Sequence, residues 1–299
     1  MSLLIVGSVA LDTVEANKRK IKDALGGSAM YSSMSASYFA DTAVVAVVGA
    51  DFPYEYIRLL NRHKIDTSGL AVSSGKTFRW CGKYSCDLNQ AKTINTQLNV
   101  FSDFTPVLSK EHKSSKYLFL ANVDPDIQEK VLDSVKNPKF VALDTMNLWI
   151  SKKIQKLKSV FKRIDLLLIN EDEAKQLSKK NNIIQSAKKI MSMGPEILVI
   201  KRGEFGAMLF YKNNLFSIPS FPLEKVEDTT GAGDTFAGGF IGYLASCPKI
   251  TFQELKKAMV YGSVMASFNV ESFSLGKLSS LTLNDISKRF TAFKKITEF

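Results

Sequence analysis

Residues 228–240 read Asp-Thr-Thr-Gly-Ala-Gly-Asp-Thr-Phe-Ala-Gly-Gly-Phe, and their types suit the chemistry of anions. Gly231, Ala232 and Gly233 are small enough to turn backbone N–H groups toward a ligand at the mouth of the apolar, helix-patterned run 235–245. A helix N-terminus carries about half a positive charge and unpaired N–H donors, so such a turn binds anions. Asp234 stands at that entrance, where its carboxylate either caps the helix or faces whatever the turn holds. Phosphoryl transfer to an alcohol needs this pairing: N–H groups meet the charge on the moving phosphate, and the carboxylate accepts the hydroxyl proton. A capped helix start would explain the turn alone. It does not explain Gly238, Gly239 and Gly242, each of which costs ~1 kcal/mol against Ala in a helix and which together imply close backbone packing.

The stretch resembles the C-terminal signature of the PfkB, or ribokinase-like, family of carbohydrate and nucleoside kinases, Asp-Thr-x-Gly-Ala-Gly-Asp, at every motif position. The resemblance implies that Asp234 is the catalytic base, that the backbone of Gly231, Ala232 and Gly233 forms the anion hole, and that ATP and Mg²⁺ are used. It also implies a three-layer α/β fold with a mainly parallel sheet and a small β-sheet lid, and it covers residues 7–274.

Other positions carry the resemblance further. Asn170 and Glu173 have the spacing of a capping box at a helix start. They are also similar to the family's Asn-x-x-Glu motif, which would set Asn170 beside the ATP phosphates and Glu173 at Mg²⁺ through water. Magnesium keeps several waters and needs few carboxylates, so one Glu suffices. Asp12 and the pair Gly26-Gly27 lie one excursion apart and by themselves make a turn carboxylate and a glycine corner. The family binds substrate hydroxyls at such positions. An ionised Asp only accepts hydrogen bonds, which suits vicinal hydroxyls on a polyol, sugar or ribosyl group. Asn147, after a later strand, is a further substrate-side candidate. Lys201, Gly203 and Gly206 follow the strand pattern at 197–200; a tight hairpin accounts for them, and so does the family's Gly-x-x-Gly-Ala turn beside ATP. Asp228 and Thr230 resemble positions that help hold a monovalent cation, K⁺, in many relatives. Residues 268–274 depart from the commoner pattern there, which leaves K⁺ open.

Competing motifs fail. Gly75-Lys76-Thr77 ends like a P-loop, but no Gly precedes it at the required spacing and a strand pattern follows. A dinucleotide fingerprint needs a third Gly where Phe236 stands. The 40 Lys and Arg against 29 Asp and Glu give a net charge of +11, spread in short pieces without interleaved aromatics. That reads as a solvated surface which helps attract anionic nucleotides, not as a nucleic-acid site. Cys81, Cys86 and Cys247 fit no zinc spacing and leave an odd count for disulfides, which suits a reducing compartment. His63 and His112 stand alone. No apolar run approaches the ~20 residues of a membrane span, and no basic segment precedes the first apolar run as in a signal peptide, so a cytoplasmic protein is expected.

The elements that must position these residues alternate between buried-type strands (1–7, 42–49, 117–120, 140–144, 166–169, 197–200) and helices (30–40, 54–63, from 125, 154–162, 171–178, 184–193), the rhythm of a mainly parallel α/β sheet. A strand-like run at 223–227, a hairpin at 207–218 and helices at 251–270 and from 284 complete the pattern. Residues 70–105 break it. Phe78, Trp80, Tyr84 and Leu88 alternate with polar residues, as on a strand with one wet face, and 98–101 reads as another strand. One domain, 1–299, with a lid from about 10–20 and 70–105 is expected. The resemblance makes Trp80 a substrate-side residue of that lid and implies a homodimer through it. The resulting expectation is an ATP-dependent kinase acting on a hydroxymethyl alcohol of a sugar, with a polyol or nucleoside such as adenosine as the alternative acceptor. A sugar or nucleotide sensor on the same fold is the alternative of another class, and it has no chemical need for Asp234.

Overall fold

The structure, a computed structural model, describes residues 2–84, 88 and 91–298. β1 (Leu3–Val6) is four buried residues whose period of two sends Leu3 and Ile5 to one face and Leu4 and Val6 to the other. A hairpin of β2 (Ala10–Ala16) and β3 (Arg19–Gly26) follows, turned at Asn17 and Lys18. Then come α1 (Ser28–Ala36), β4 (Thr42–Gly49), α2 (Tyr54–Arg62) and β5 (Asp66–Ser73). β6 (Phe78–Tyr84) and β7 (Ala91–Gln97) form the second excursion. The α/β rhythm resumes with α3 (Lys110–Lys113), β8 (Tyr117–Leu120), α4 (Pro125–Ser134), β9 (Phe140–Asp144), α5 (Asn147–Lys152), α6 (Ile154–Phe161) and β10 (Leu166–Asn170). α7 (Glu171–Ser178), α8 (Ile183–Met191) and β11 (Ile197–Lys201) follow, then the hairpin β12 (Ala207–Tyr211) and β13 (Asn214–Ile218). The chain ends in α9 (Ala232–Ser246), α10 (Phe252–Asn269) and α11 (Leu283–Thr297).

Among the described residues nine strands make one sheet, in the order β13-β12-β11-β10-β9-β8-β1-β4-β5, parallel except for the final hairpin. Two cores cover its faces. One packs α1, α9 and α10 on Leu3, Ile5, Val44 and Leu168; the other packs α4, α6, α7 and α8 on Leu4, Val6, Leu143 and Leu167. The result is the expected three-layer α/β fold. From β1 the chain builds outward through β4 and β5, then resumes on the other side of β1 with β8, so a topological switch point lies between β1 and β8. Ligands bind outside the carboxyl ends of strands at such a point. A second sheet, β3-β2-β6-β7, stands apart from the first. No helix among the described residues is long and apolar enough to cross a membrane.

Several expected elements are corrected. The small sheet runs through residues 10–26 and 78–97, and β5 (66–73) belongs to the main sheet, paired in parallel with β4. Asp12 therefore lies within β2 and not in a turn after β1. Residues 98–101 form no strand: Asn99–Asp103 is a 3₁₀ turn, and Phe101, partly buried, stacks between Phe78 and Phe104 at 5.3 and 5.8 Å. Residues 223–227 form no ladder and are fastened by the Glu227 N–H to the Val270 carbonyl at 2.8 Å. α1 stops at Ala36, short of residue 40. Cys81 and Cys247 are free thiols, and Cys86 lies outside the described residues, as do Ser85 and Asp87.

Candidate active site

α9 starts at Gly231, whose φ of 73° is left-handed and favours glycine, and no side chain caps the helix. The Ala232 N–H turns back to the Thr229 carbonyl at 3.1 Å. Among the described residues the N–H groups of Gly233 and Asp234 have no acceptor, so these donors, not that of Ala232, are the open ones. Gly238 and Gly242 let α9 lie against α1: a Cβ on Gly238 would reach Ser32 Cα at 2.7 Å, and one on Gly242 would reach Ala36 Cα at 2.8 Å. Gly239 does the same toward Met265 of α10 at 2.9 Å. The glycines thus set the helix in place between its neighbours.

Asp234 lines a cleft of about 1140 Å³ together with Gly233, Asp144, Asn170, Glu173 and Lys201. Asp144, Asn170 and Lys201 are the last residues of β9, β10 and β11, adjacent parallel strands, so the sheet itself sets their spacing. Lys201 Nζ lies 2.8 Å from Asp144 Oδ2, and a Cβ on Gly233 would come within 3.2 Å of the same nitrogen. Burial, then the Asp144 charge, push the Asp234 carboxyl up to about 7, with Lys201 opposing. Burial and Asp144 likewise raise Glu173 to about 7. Three carboxyl groups, Asp144, Glu173 and Asp234, thus act on one ammonium.

Asn170 and Glu173 form the anticipated capping box: Asn170 Oδ1 accepts the Glu173 N–H at 2.8 Å and Glu173 Oε2 accepts the Asn170 N–H at 2.8 Å. Both also line the cleft. No cluster of three or more His, Cys, Asp or Glu able to cage a metal occurs among the described residues. The donor set fits Mg²⁺ held by few carboxylates, water and phosphate.

Gly203 and Gly206 line the same cleft, at φ of 56° and 87° in the turn between β11 and β12. Asp12, 5% exposed, is not among the residues that line the cleft, although Asp234 of the cleft is near enough to act on it. Its carboxyl fills the space where Gly26 has no Cβ and accepts from the Gly27 N–H. Gly27 has a φ of 94°, which favours glycine, and a Cβ there would also meet Ser8 C at 2.8 Å. Burial, with Asp228 and Asp234 nearby, pushes Asp12 up to about 8. A raised value favours the neutral acid, which carries a donor that the carboxylate lacks. Tyr31, unremarked in the sequence, is 2% exposed with its ring against Gly231, between Asp12 and the start of α9. Its position four residues after Gly27, on the first turn of α1, was the available signal.

Asn147 is exposed and does not line the cleft; Asn122, after β8, does, with Oδ1 fixed by the Trp149 indole N–H at 3.1 Å. Trp80 shares a face of β6 with Tyr84, but its ring lies across Gly82 and its N–H donates to Thr93 Oγ1 at 3.2 Å. Tyr84, the last residue of β6, and Leu88, between β6 and β7, stand in the cleft wall. Tyr84 Oη and Thr230 Oγ1 hydrogen-bond at 3.1 Å, and Thr229 Oγ1 donates to the Leu88 carbonyl. Asn17 Nδ2 donates to the Val226 and Glu227 carbonyls at 2.8 and 3.1 Å, so the hairpin tip also grips this loop. Asp228 Oδ1 accepts from Thr230 N and Oγ1 at 2.9 and 2.7 Å, whereas Asn269 Oδ1 is buried and unpartnered among the described residues. Asn269 Nδ2 donates to the Thr230 carbonyl at 2.8 Å.

The model of the pfkB family of carbohydrate kinases matches residues 3–281. A cytidine kinase of Thermococcus kodakarensis is 26% identical over 271 residues, 87% of this chain and 96% of that protein. An inositol 3-kinase of Arabidopsis thaliana is 23% identical over 98% of this chain and 80% of its own length. The crystal structure of a Methanocaldococcus jannaschii nucleoside kinase superposes with a TM-score of 0.78 at 21% identity, covering 98% of this chain and 99% of that one. A Burkholderia thailandensis nucleoside kinase in complex with inosine gives 0.79 at 17% identity, covering 98% of each chain.

Proposed function

The chain belongs to the pfkB family of carbohydrate kinases, and from that premise we propose that it moves the γ-phosphate of ATP to a hydroxymethyl-type alcohol on a sugar, polyol or nucleoside. The observation that carries the reading is Asp234 beside the open N–H groups of α9, with Lys201 at the same end of the cleft. The acceptor hydroxyl gives its proton to Asp234 as its oxygen bonds the γ-phosphorus. The bond from that phosphorus to the β–γ bridging oxygen breaks, and its electron pair leaves on ADP. A carboxylate titrating near 7 is a base matched to neutral pH. The Gly233 and Asp234 N–H groups meet the charge on the moving phosphoryl oxygens.

Glu173 and Asn170 are the residues proposed to hold Mg²⁺, through water, beside the phosphates; the ion when bound neutralises phosphate charge. Asn269 Oδ1, buried with no partner among the described residues, and the adjacent Asp228 carboxylate support K⁺ at the neighbouring site. Asp12 and the Gly26–Gly27 corner are the proposed acceptor side, with Tyr84 and Leu88 as its cover. A nucleoside acceptor is favoured over a free sugar by the full-length likeness to a protein named cytidine kinase. ATP consumption with cytidine, adenosine, inosine, ribose, fructose and inositol, and identification of the phosphorylated product, tests the proposal. Binding across this panel without turnover overturns it in favour of a sensor.

A further inference from the structure

Asp144 and Lys201 are joined across the end of β10, and both are largely buried, their side chains 6% and 15% exposed. Asp144 is fixed from several directions. Its Oδ1 accepts the Thr145 N–H at 2.7 Å, its Oδ2 holds Lys201 at 2.8 Å, and the buried Gln128 amide donates to its carbonyl at 3.1 Å. Such anchoring fixes where the ammonium sits, which is over Gly233 at the uncapped start of α9. Among the described residues that line the cleft, Lys201 is the cation, against Asp144, Glu173 and Asp234.

We propose that Lys201 is a catalytic residue whose ammonium contacts the phosphoryl group in transfer, and that Asp144 is the positioning residue that aims it. The proposal rests on the kinase reading above. An ammonium has three donors, so one N–H can stay on Asp144 while another turns to a phosphoryl oxygen. During transfer the γ-phosphorus gains the acceptor oxygen and loses the bridging oxygen to ADP, while the acceptor proton goes to Asp234. The charge on the equatorial oxygens then falls within reach of both the α9 N–H groups and Lys201, which meet at Gly233. Burial pulls the Lys201 pKa down, but Asp144, Glu173 and Asp234 together lift it above its ordinary value, so it remains cationic at neutral pH.

The test compares Lys201→Met, Asp144→Asn and the double variant with the wild type. Lys201→Met should lower kcat by ~100-fold, the scale of one lost charge-stabilising contact, with KM for the acceptor within ~3-fold. A binding readout accompanies it: equilibrium titration with ADP and with the imido analogue of ATP. Lys201→Met should lose at least ~10-fold of the preference for the analogue, the scale of one charge-assisted contact, while ADP affinity stays within ~2-fold. Removing the ammonium alone strands the Asp144 carboxylate, so the double variant is the folded control. It should regain thermal stability without regaining kcat or the analogue preference. Recovery of kcat with stability in the double variant, or a Lys201→Met protein with unchanged kcat and preference, overturns the proposal. If the wild type consumes no ATP with any acceptor, the kinase reading fails. The titration then still decides whether Lys201 reads the terminal phosphate.

Discussion

Asp234→Asn separates the chemical role of this carboxylate from any structural one, because the two roles move in opposite directions. Asn is nearly isosteric but cannot take a proton from an alcohol, so turnover should fall by at least ~100-fold, the usual scale of positioned general-base catalysis. The wild type should lose activity on the acid side through the Asp234 pKa of about 7, and the variant's residual activity should lack that limb. Stability should rise. With a free-carboxyl value of 3.8 raised to about 7, the folded state holds a proton that the unfolded chain has released, so folding weakens as pH climbs across that window. Between about pH 5.5 and the raised pKa lie roughly 1.5 units, or ~2 kcal/mol at ~1.4 kcal/mol per unit. For a chain of this size that is a Tm gap between variant and wild type widening by ~4 °C from about pH 5.5 to about pH 8. Phosphate-transfer assays and thermal melts of the ligand-free protein at both pH values provide the check. A variant with wild-type turnover, or a Tm gap that is flat or narrows as pH rises, would refute the reasoning.

Glu173→Gln keeps an oxygen for the Asn170 N–H, so melting should change by less than ~1 kcal/mol while the Mg²⁺ concentration for half-maximal activity rises at least ~5-fold; unchanged metal dependence would leave Glu173 as a cap alone. Tyr84→Phe removes the hydroxyl bonded to Thr230 and should raise the acceptor KM ~5–10-fold, about one hydrogen bond, with ATP KM within ~2-fold; an equal change in both would detach Tyr84 from the acceptor side. Gly238→Ala should destabilise by ~1–3 kcal/mol although Ala is the better helix former, because its methyl must enter the Ser32 backbone; a gain in denaturation midpoint would show that α1 and α9 can separate freely. Exchanging K⁺ for the larger tetramethylammonium ion should lower turnover if the Asp228 carboxylate and the unpartnered Asn269 oxygen take a cation, and equal rates in both salts would remove K⁺ from the proposal.

The sequence alone settled the layers, because parallel strands buried on both faces read as unbroken apolar runs such as Leu-Leu-Ile-Val at β1 and Thr-Ala-Val-Val-Ala-Val-Val-Gly at β4. It also settled the close packing of α9, since only a missing Cβ explains three glycines inside one helix. The second sheet was half legible. Alternation in β6 showed one wet face, but the polar β3 strand carries no such signal, and neither does β7, where all seven residues are exposed. Their strand form is decided by pairing with β2 and β6, a long-range contact. The Lys201–Asp144 pair could not be read at all, for 57 residues separate its members and only the parallel order β9-β10-β11 brings their ends together. The upward shift of Asp12, too, was beyond the sequence. Residue type fixes its ordinary pKa, whereas burial and the approach of Asp228 and Asp234 from distant segments push it up.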